Sequence, residues 1–388
     1  MSSAVEPLRI TIDARFLGPR LSGLGRYVSK LVEELQRIDD RNRYTVLLSR
    51  SNWSDFVPAR SNFQRALADV GWYTFGEQLR MPGILSRTRP DLVHFPNFNF
   101  PLVYRGPFVA TIHDLIKSQF GPAQAAASES PVVLLKHQVY KRTIAAAVTR
   151  ARLILVPSAA VRTELVKSLG VREDNIIVTP EAAEAVFLDQ TSTQQDHDVL
   201  ERYGIREPFV LYVGNAYPYK NVESVIDALT HISEPLFLVN PCSRDAFYPR
   251  LRRRAKERQV EDRLILPGFV PDQDLAVLFR RARVYVFPSL AEGFGIPALE
   301  AMASGLPVAC SDIPVLHETC GDAAMYFSPR DPAGIAAAVN QLLSDDGLRA
   351  ELVRAGKARA AVFSWRRTAE LTLAAYQRAA SPEGAARG

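Results

Sequence analysis

Three cysteines, three tryptophans and six histidines in 388 residues leave little material for several kinds of chemistry. Cys242, Cys310 and Cys320 have no C-x-x-C or metal-type spacing, which excludes a disulfide framework or a zinc site and fits a reducing compartment. No apolar run approaches the roughly eighteen residues of a spanning helix, and Met1 to Pro7 lack a basic segment leading into an apolar one. Neither a membrane span nor a signal peptide is expected. Charge of one sign is also scarce, with 47 Lys and Arg against 42 Asp and Glu. The small surplus is densest from Arg250 to Arg258, where no aromatic residue interleaves. Such a run reads as the exposed side of a helix, not as a platform for stacking bases. What is present is ordinary globular material, 47% hydrophobic and 23% charged, in a chain long enough for two domains of about 150 to 200 residues each.

Apolar runs and helical patterns alternate through both halves, which predicts an α/β fold with parallel sheets. In the first half, strands are predicted at 8–12, 44–48, 92–95, 108–112 and 153–156. In the second they are predicted at 209–213, 236–239, 264–266, 284–287 and 306–310. The polar stretch from Gln190 to Asp198 reads as the linker between the halves. In such folds ligands gather beyond the C-terminal ends of the strands.

The richest such end runs from Phe287 to Glu300, FPSLAEGFGIPALE. Its glycines, Gly293 and Gly295, allow close backbone approach to a ligand at a helix N-terminus that Pro297 opens and Gly305 closes. Glu292 precedes this turn and Glu300 lies about one helical turn inside it, a pairing suited to a ligand carrying both hydroxyls and phosphates. After the first predicted strand, Gly18 to Gly25 form a glycine-rich loop ahead of a helix bearing Val28, Leu31, Val32 and Leu35. Val28 stands where a dinucleotide fingerprint needs its third glycine, so a nicotinamide cofactor is disfavoured, while closure over a pyrophosphate stays open. His113 and Asp114 leave one strand and Pro157 and Ser158 another, and the histidine is placed to donate to a hydroxyl. Lys220, in Gly214 to Asn221, opens a helix where the dipole favours acids, a placement that an ammonium for a phosphate would explain. Asp272, Gln273 and Asp274 fit a D-x-D metal pattern, yet after Pro271 they read as first-turn acids, and no metal is expected.

The order SGLGRY, TIHD, VPS, VGNAYPYKN, LPGFV, EGFGIPALE and a closing FSW with Tyr376 resembles glycosyltransferase family 4 over nearly the whole chain. The resemblance implies a GT-B fold: two Rossmann-like, doubly wound domains facing a central cleft. Residues 1–189 would form the acceptor side, 190–364 the donor side, and a helix within 365–388 would cross back to the first domain. It implies a retaining, metal-independent hexosyltransferase without a cofactor. Glu292 would touch the donor sugar's hydroxyls, and the N–H groups of Gly293, Phe294 and Gly295 would bind sugar and phosphate. Glu300 would hold the ribose diol and Lys220 the diphosphate, while Gly23, Leu24 and Gly25 would close over the phosphates. His113 would contact the sugar near the reacting face, with Phe269 and Val270 by the base and Asn215 and Ile296 completing the donor set. His113, Glu292 and Lys220 are the expected catalytic residues.

Likeness of VGNAYPYKN and EGFGIPALE to bacterial mannosyltransferase-like sequences favours GDP-mannose, with UDP- or ADP-hexoses and a sugar-nucleotide epimerase as alternatives. The implied acceptor is a glycan or lipid-linked glycan in polysaccharide or glycolipid synthesis. The implied location is the cytoplasm, with peripheral contact to the inner face of the plasma membrane as an open variant and no nucleic-acid partner. Val132 to Arg142 suits either an amphipathic membrane-surface helix or a core-facing helix with solvated lysines. Two departures stand out. Asn215 to Tyr219 lack the arginine that many relatives use as a second phosphate cation, for which Lys220, Arg26 or another arginine would have to compensate. Asn240 and Pro241 replace a frequent glycine.

Overall fold

Two all-parallel sheets carry the described residues 6–18, 22–120, 131–188, 195–232, 238–239 and 247–381 of the computed structural model. The chain divides into one unit of Met1–Leu115, Leu135–Glu181 and Ser364–Gly388, and another of Ile116–Leu134 and Ala182–Phe363. The boundary falls at Glu181, earlier than the expected residue 189.

The first unit contains β1 (Arg9–Asp13), α1 (Ser22–Ile38), β2 (Arg43–Leu48), β3 (Phe63–Leu67), α2 (Phe75–Thr88), β4 (Leu92–Phe95), β5 (Phe108–Thr111), α3 (Pro131–Arg150) from Leu135 onward, β6 (Leu153–Val156), α4 (Ala159–Leu169) and β7 (Ile176–Val178). Its strand order is β3-β2-β1-β4-β5-β6-β7. Central strands β4, β5 and β6 are buried along their whole length, as continuous apolar runs in a parallel sheet require. β3 and β7 escape sequence reasoning for opposite reasons. Phe63–Leu67 (FQRAL) is an edge strand largely open to water, and Ile176–Val178 has only three residues.

The second unit contains α5 (Gln195–Arg202), β8 (Val210–Leu211), α6 (Val222–Ala228), β9 (Leu238–Val239), α7 (Tyr248–Glu257), β10 (Leu264–Ile265) and α8 (Asp272–Arg281), followed by β11 (Val284–Phe287), α9 (Ile296–Ala303), β12 (Val308–Ser311), α10 (Pro314–Cys320), β13 (Ala324–Phe327), α11 (Pro332–Ser344) and α12 (Asp346–Ala360). The order β10-β9-β8-β11-β12-β13 is the doubly wound dinucleotide-type order, reversing between β8 and β11. The last helix, α13 (Trp365–Ala380), groups with the first unit. Ser364 caps it, its hydroxyl accepting from Arg367 N at 3.1 Å, and Trp365, Ala369, Thr372, Tyr376 and Ala379 are buried.

Two expectations change here. Gln195 to Asp198 begin α5 and are not linker, because Asp196 is buried against Arg280 at 3.0 Å; residues 190–194 lie outside the described set. The first part of α3 is not core-facing: Leu134, Leu135 and Val139 are 50%, 64% and 52% exposed, and burial begins at Thr143 and Ile144. The basic run of α7 is an exposed helix face, as expected, with Arg254 and Arg258 on Asp227 at 2.6 and 2.8 Å and Arg250 paired with Glu223.

Candidate functional site

At the reversal point of the second sheet, the chain leaves β8 towards a turn at Pro218–Lys220 and leaves β11 towards the glycine loop. These segments meet in an ion pair, Lys220 Nζ to Glu292 Oε1 at 2.6 Å, with side chains only 14% and 8% exposed. Lys220 Nζ also lies 5.5 Å from the centre of the Tyr219 ring and 5.6 Å from that of Phe287. The lysine does not open the following helix. Asn221 intervenes in the left-handed region, φ +57°, a conformation that asparagine tolerates better than most residues. Its Nδ2 donates to the carbonyls of Pro288 (3.0 Å) and Pro329 (2.5 Å), and its Oδ1 accepts from Ser224 Oγ at 2.7 Å. Leu290 N donates to Tyr219 O at 2.7 Å. Asn221 thus fastens the lysine turn to the loop that carries Glu292. Sequence reasoning passed over it, although an asparagine before a helix was a visible signal.

The glycine loop is shaped by close packing. Gly295 has φ +97°, and a Cβ there would lie 2.8 Å from Leu316 Cδ2. Phe294 is buried, and its carbonyl accepts from Thr319 Oγ1 at 2.5 Å. α9 begins at Ile296, one residue before Pro297, and ends in a Schellman motif: Gly305 N donates to Met302 O at 3.0 Å and Leu306 N to Ala301 O at 2.9 Å. Glu300 is 2% exposed, so it is no solvated surface acid. Burial pushes the Tyr285 phenol well above its ordinary pKa, and the charges of Glu300 and Glu292 add to this, so both carboxylates act on one buried ring. Phe269 is 68% exposed, whereas the Val270 side chain is buried. Asn215 holds the turn through its carbonyl, which accepts from Tyr212 Oη at 2.8 Å.

In the first unit, His113 follows β5. Nδ1 lies 3.0 Å from Glu181 Oε1 and Nε2 3.0 Å from Pro96 O. Both partners are acceptors, an arrangement that favours a proton on each ring nitrogen. Burial opposes that charge, but the hydrogen bond and charge of Glu181 outweigh it and hold the pKa above the ordinary histidine value. The expected donation from His113 to a ligand hydroxyl therefore finds both ring protons engaged. What the residue offers is a positive charge that Glu181 favours. Glu181 was not foreseen, since its 68-residue separation from His113 leaves no local signal. Behind this pair, His94 bridges Tyr376 Oη (Nδ1, 2.7 Å) and Thr111 Oγ1 (Nε2, 2.8 Å), and Tyr27 Oη meets the same threonine at 3.1 Å. Gly23, Leu24 and Gly25 stand in α1 and not in the loop expected for them. The reason is contact: a Cβ on Gly25 would sit 2.2 Å from Gly18 O and 2.9 Å from Phe16 O, so the helix's first turn lies directly on the preceding connection.

Residues 21–184 match the description "Glycosyltransferase Family 4" and residues 198–359 match "Glycosyl transferases group 1". The O-antigen chain mannosyltransferase B of Escherichia coli is 29% identical, over 92% of this chain and 96% of its own. The chain belongs to glycosyltransferase family 4. Solved structures agree on the GT-B fold. Sucrose-phosphate synthase from Thermosynechococcus elongatus superposes with a TM-score of 0.75 at 21% identity, covering 97% of this chain and all of that one. Anabaena HepE in complex with UDP and glucose gives 0.73 at 18% identity, covering 96% of this chain and all of that one.

In this glycosyltransferase one acid of the D-x-D sequence is engaged within the protein. Asp274 accepts from Arg202 Nη1 at 2.8 Å and Tyr203 Oη at 2.7 Å in the first turn of α8. Among the described residues no group of three His, Cys, Asp or Glu side chains is gathered as a metal site needs. Asn240 and Pro241 lie outside the described residues. Ser158 caps α4, accepting from Val161 N at 3.2 Å, which accounts for the Pro157-Ser158 signal. No helix among the described residues is long and apolar enough to cross a membrane.

Proposed function

We propose that the enzyme is a retaining, metal-independent mannosyltransferase that moves mannose from GDP-mannose to a hydroxyl of a glycan or lipid-linked glycan in polysaccharide synthesis. The observation that carries this reading is the Lys220–Glu292 pair at the sheet reversal, beside the glycine loop and the buried Glu300. One ammonium for a diphosphate, one carboxylate for sugar hydroxyls and one for a ribose diol are the groups that a nucleotide sugar needs. The choice of mannose follows the named activity of the E. coli relative. A UDP-hexose donor is the second reading, favoured by the UDP and glucose in the Anabaena neighbour.

In the proposed reaction the bond from the anomeric carbon to the diphosphate oxygen breaks, and the acceptor oxygen forms its bond on the same face. The acceptor proton passes to a diphosphate oxygen, and the nucleoside diphosphate leaves. Positive charge grows at the anomeric carbon and negative charge on the leaving group, so cations and N–H donors carry the catalysis. Lys220 and the loop at Gly293 to Gly295 are assigned to that stabilisation, with His113 as a positive charge near the sugar. Phe269, Val270 and Asn215 are assigned to the nucleotide side, and Gly23 to Gly25 to the phosphates.

Thermal-shift screening with GDP-mannose, UDP-glucose and ADP-glucose tests the donor, because a ligand that binds only the folded state raises its stability. GDP-mannose should give the largest shift. Turnover unaffected by EDTA and an anomeric product signal of the donor's configuration are the expected marks of the mechanism; the opposite results overturn it. Conversion of donor without acceptor would favour an epimerase. Exposed Leu134, Leu135 and Val139 beside exposed Lys136, Lys141 and Arg142 support a lipid-linked acceptor at an anionic surface. Failure to float with anionic liposomes would count against that part.

A further inference from the structure

The connections that leave β2 and β3 border an open depression of about 440 Å³, lined by Ser49, Ser51, Asp69, Val70, Gly71 and Trp72. That volume lies within the roughly 300–1,000 Å³ of small-molecule sites. All of its lining belongs to the first unit.

Its walls are held from behind. Trp72 is half-buried and packs on Phe16, ring centroids 4.7 Å apart at 34°, so the indole is braced by the β1–α1 connection. Buried Arg15, ion-paired with Asp13 and Glu77, donates from Nη1 to the Val70 carbonyl at 2.9 Å. Buried Asn52 donates from Nδ2 to the carbonyls of Ala14, Arg15 and Leu17, and its Oδ1 accepts from Ser49 N and Ser49 Oγ. Two elements of the rim remain open to water. The Asp69 side chain is 44% exposed while accepting from Arg50 N at 3.3 Å and pairing with Arg50 Nε at 3.0 Å, and Ser51 Oγ lies 2.8 Å from Ser49 Oγ.

We infer that this depression is a subsite for an uncharged pyranose of the acceptor glycan, held against Trp72 and hydrogen-bonded by Asp69, Arg50 and Ser51. The inference rests on the proposed glycosyl transfer. A flat indole meets the C–H face of a pyranose through many small dispersion contacts. Each sugar hydroxyl both donates and accepts, so adjacent hydroxyls match a carboxylate beside a guanidinium, with serine hydroxyls able to serve either way. The Asp69 charge repels an anion and is already balanced by Arg50. A neutral sugar therefore suits the site better than a nucleotide or lipid phosphate. The Asp69 carboxylate is engaged by Arg50, so the subsite orients an acceptor and takes no part in bond making.

Calorimetric titration of the full chain with mannotriose, maltotriose and inorganic phosphate tests the assignment. A trisaccharide should bind saturably. Trp72→Ala, and Ser51→Arg as a variant that fills the rim without touching the Phe16 contact, should each weaken it at least about tenfold, the effect of losing a single good contact. Both should keep the wild-type thermal shift with nucleotide sugar. Trisaccharide binding that survives both substitutions, a response to phosphate alone, or no response to either trisaccharide overturns the subsite. Absence of any nucleotide-sugar shift in the wild-type chain overturns the transferase reading instead, and leaves the titration to judge the subsite separately.

Discussion

Lys220 and Glu292, 72 residues apart in sequence, share a 2.6 Å ion pair across the point where the second sheet reverses its strand order. Neither side chain is more than 14% exposed, so each has the other, and little water, as its partner. A donor diphosphate would offer the lysine a second anion, and sugar hydroxyls would offer the carboxylate neutral donors. The pair is thus organised for a ligand that carries both.

Removing either partner leaves a nearly buried charge without its counter-ion, which costs more than the pair itself contributes. Lys220→Ala and Glu292→Ala should each lower turnover about 100-fold or more, as loss of a leaving-group stabiliser does, and each should lower the thermal midpoint. Lys220→Met combined with Glu292→Gln should recover the midpoint and not the turnover. Near-normal turnover in either alanine variant would remove these residues from the catalytic set.

Two glycines two positions apart in α1 should respond in opposite directions. A Cβ at Gly25 meets backbone carbonyls at 2.2 and 2.9 Å, which cannot swing aside, so Gly25→Ala should destabilise by about 1–3 kcal/mol. Gly23 has nothing within 4 Å of such a Cβ and a helical conformation, so Gly23→Ala should stabilise by about 0.4–1 kcal/mol. Urea denaturation of the two variants measures both signs.

The two histidines of the first unit set two pH windows. His113 has a raised pKa when folded, so its contribution is fully present below the unfolded value of 6.5 and is lost as pH rises through the folded value. His94 is pushed down to about 3 by burial, with the His113 charge adding to it. It therefore stays neutral when folded and takes up a proton on unfolding, so its contribution is present above 6.5 and is lost as pH falls from there towards 3. Each proton changes stability by up to about 1.4 kcal/mol per pH unit inside its window. His113→Gln should flatten the alkaline slope and His94→Gln the acidic one. Urea midpoints measured from pH 4 to pH 8.5 would show slopes unchanged by the substitutions if this account is wrong.

Asn221 supplies both a left-handed backbone and three side-chain hydrogen bonds. Asn221→Gly keeps the first and loses the second, while Asn221→Ala loses both. Donor KM should rise in both variants, and the thermal midpoint should fall further for alanine, by the roughly 1 kcal/mol that separates the two residues at positive φ. Equal midpoints would mean that backbone conformation is not what asparagine provides here.

Much of this architecture was legible from local pattern. β4, β6 and β11 fall on their predicted residues because each is a short, fully buried apolar run, and the close of α9 at Gly305 follows from a glycine where a left-handed residue is needed. Reading failed where context overrode the local signal. Gly23 to Gly25 look like a loop, yet Gly25 is there to let a helix press on a carbonyl. The polar stretch at Gln195 to Asp198 looks like linker, yet a buried ion pair draws it into a helix.

The sequence by itself determined two successive α/β halves, the family to which they belong and the residues clustered in its motifs, since these depend on side-chain period, turn chemistry and the order of short segments. The tertiary structure alone decided which charges meet. Lys220 reaches Glu292, and His113 meets Glu181. Those partners are separated by many residues and are joined only when parallel strands bring their C-terminal ends side by side, a relation that no local pattern of residues carries.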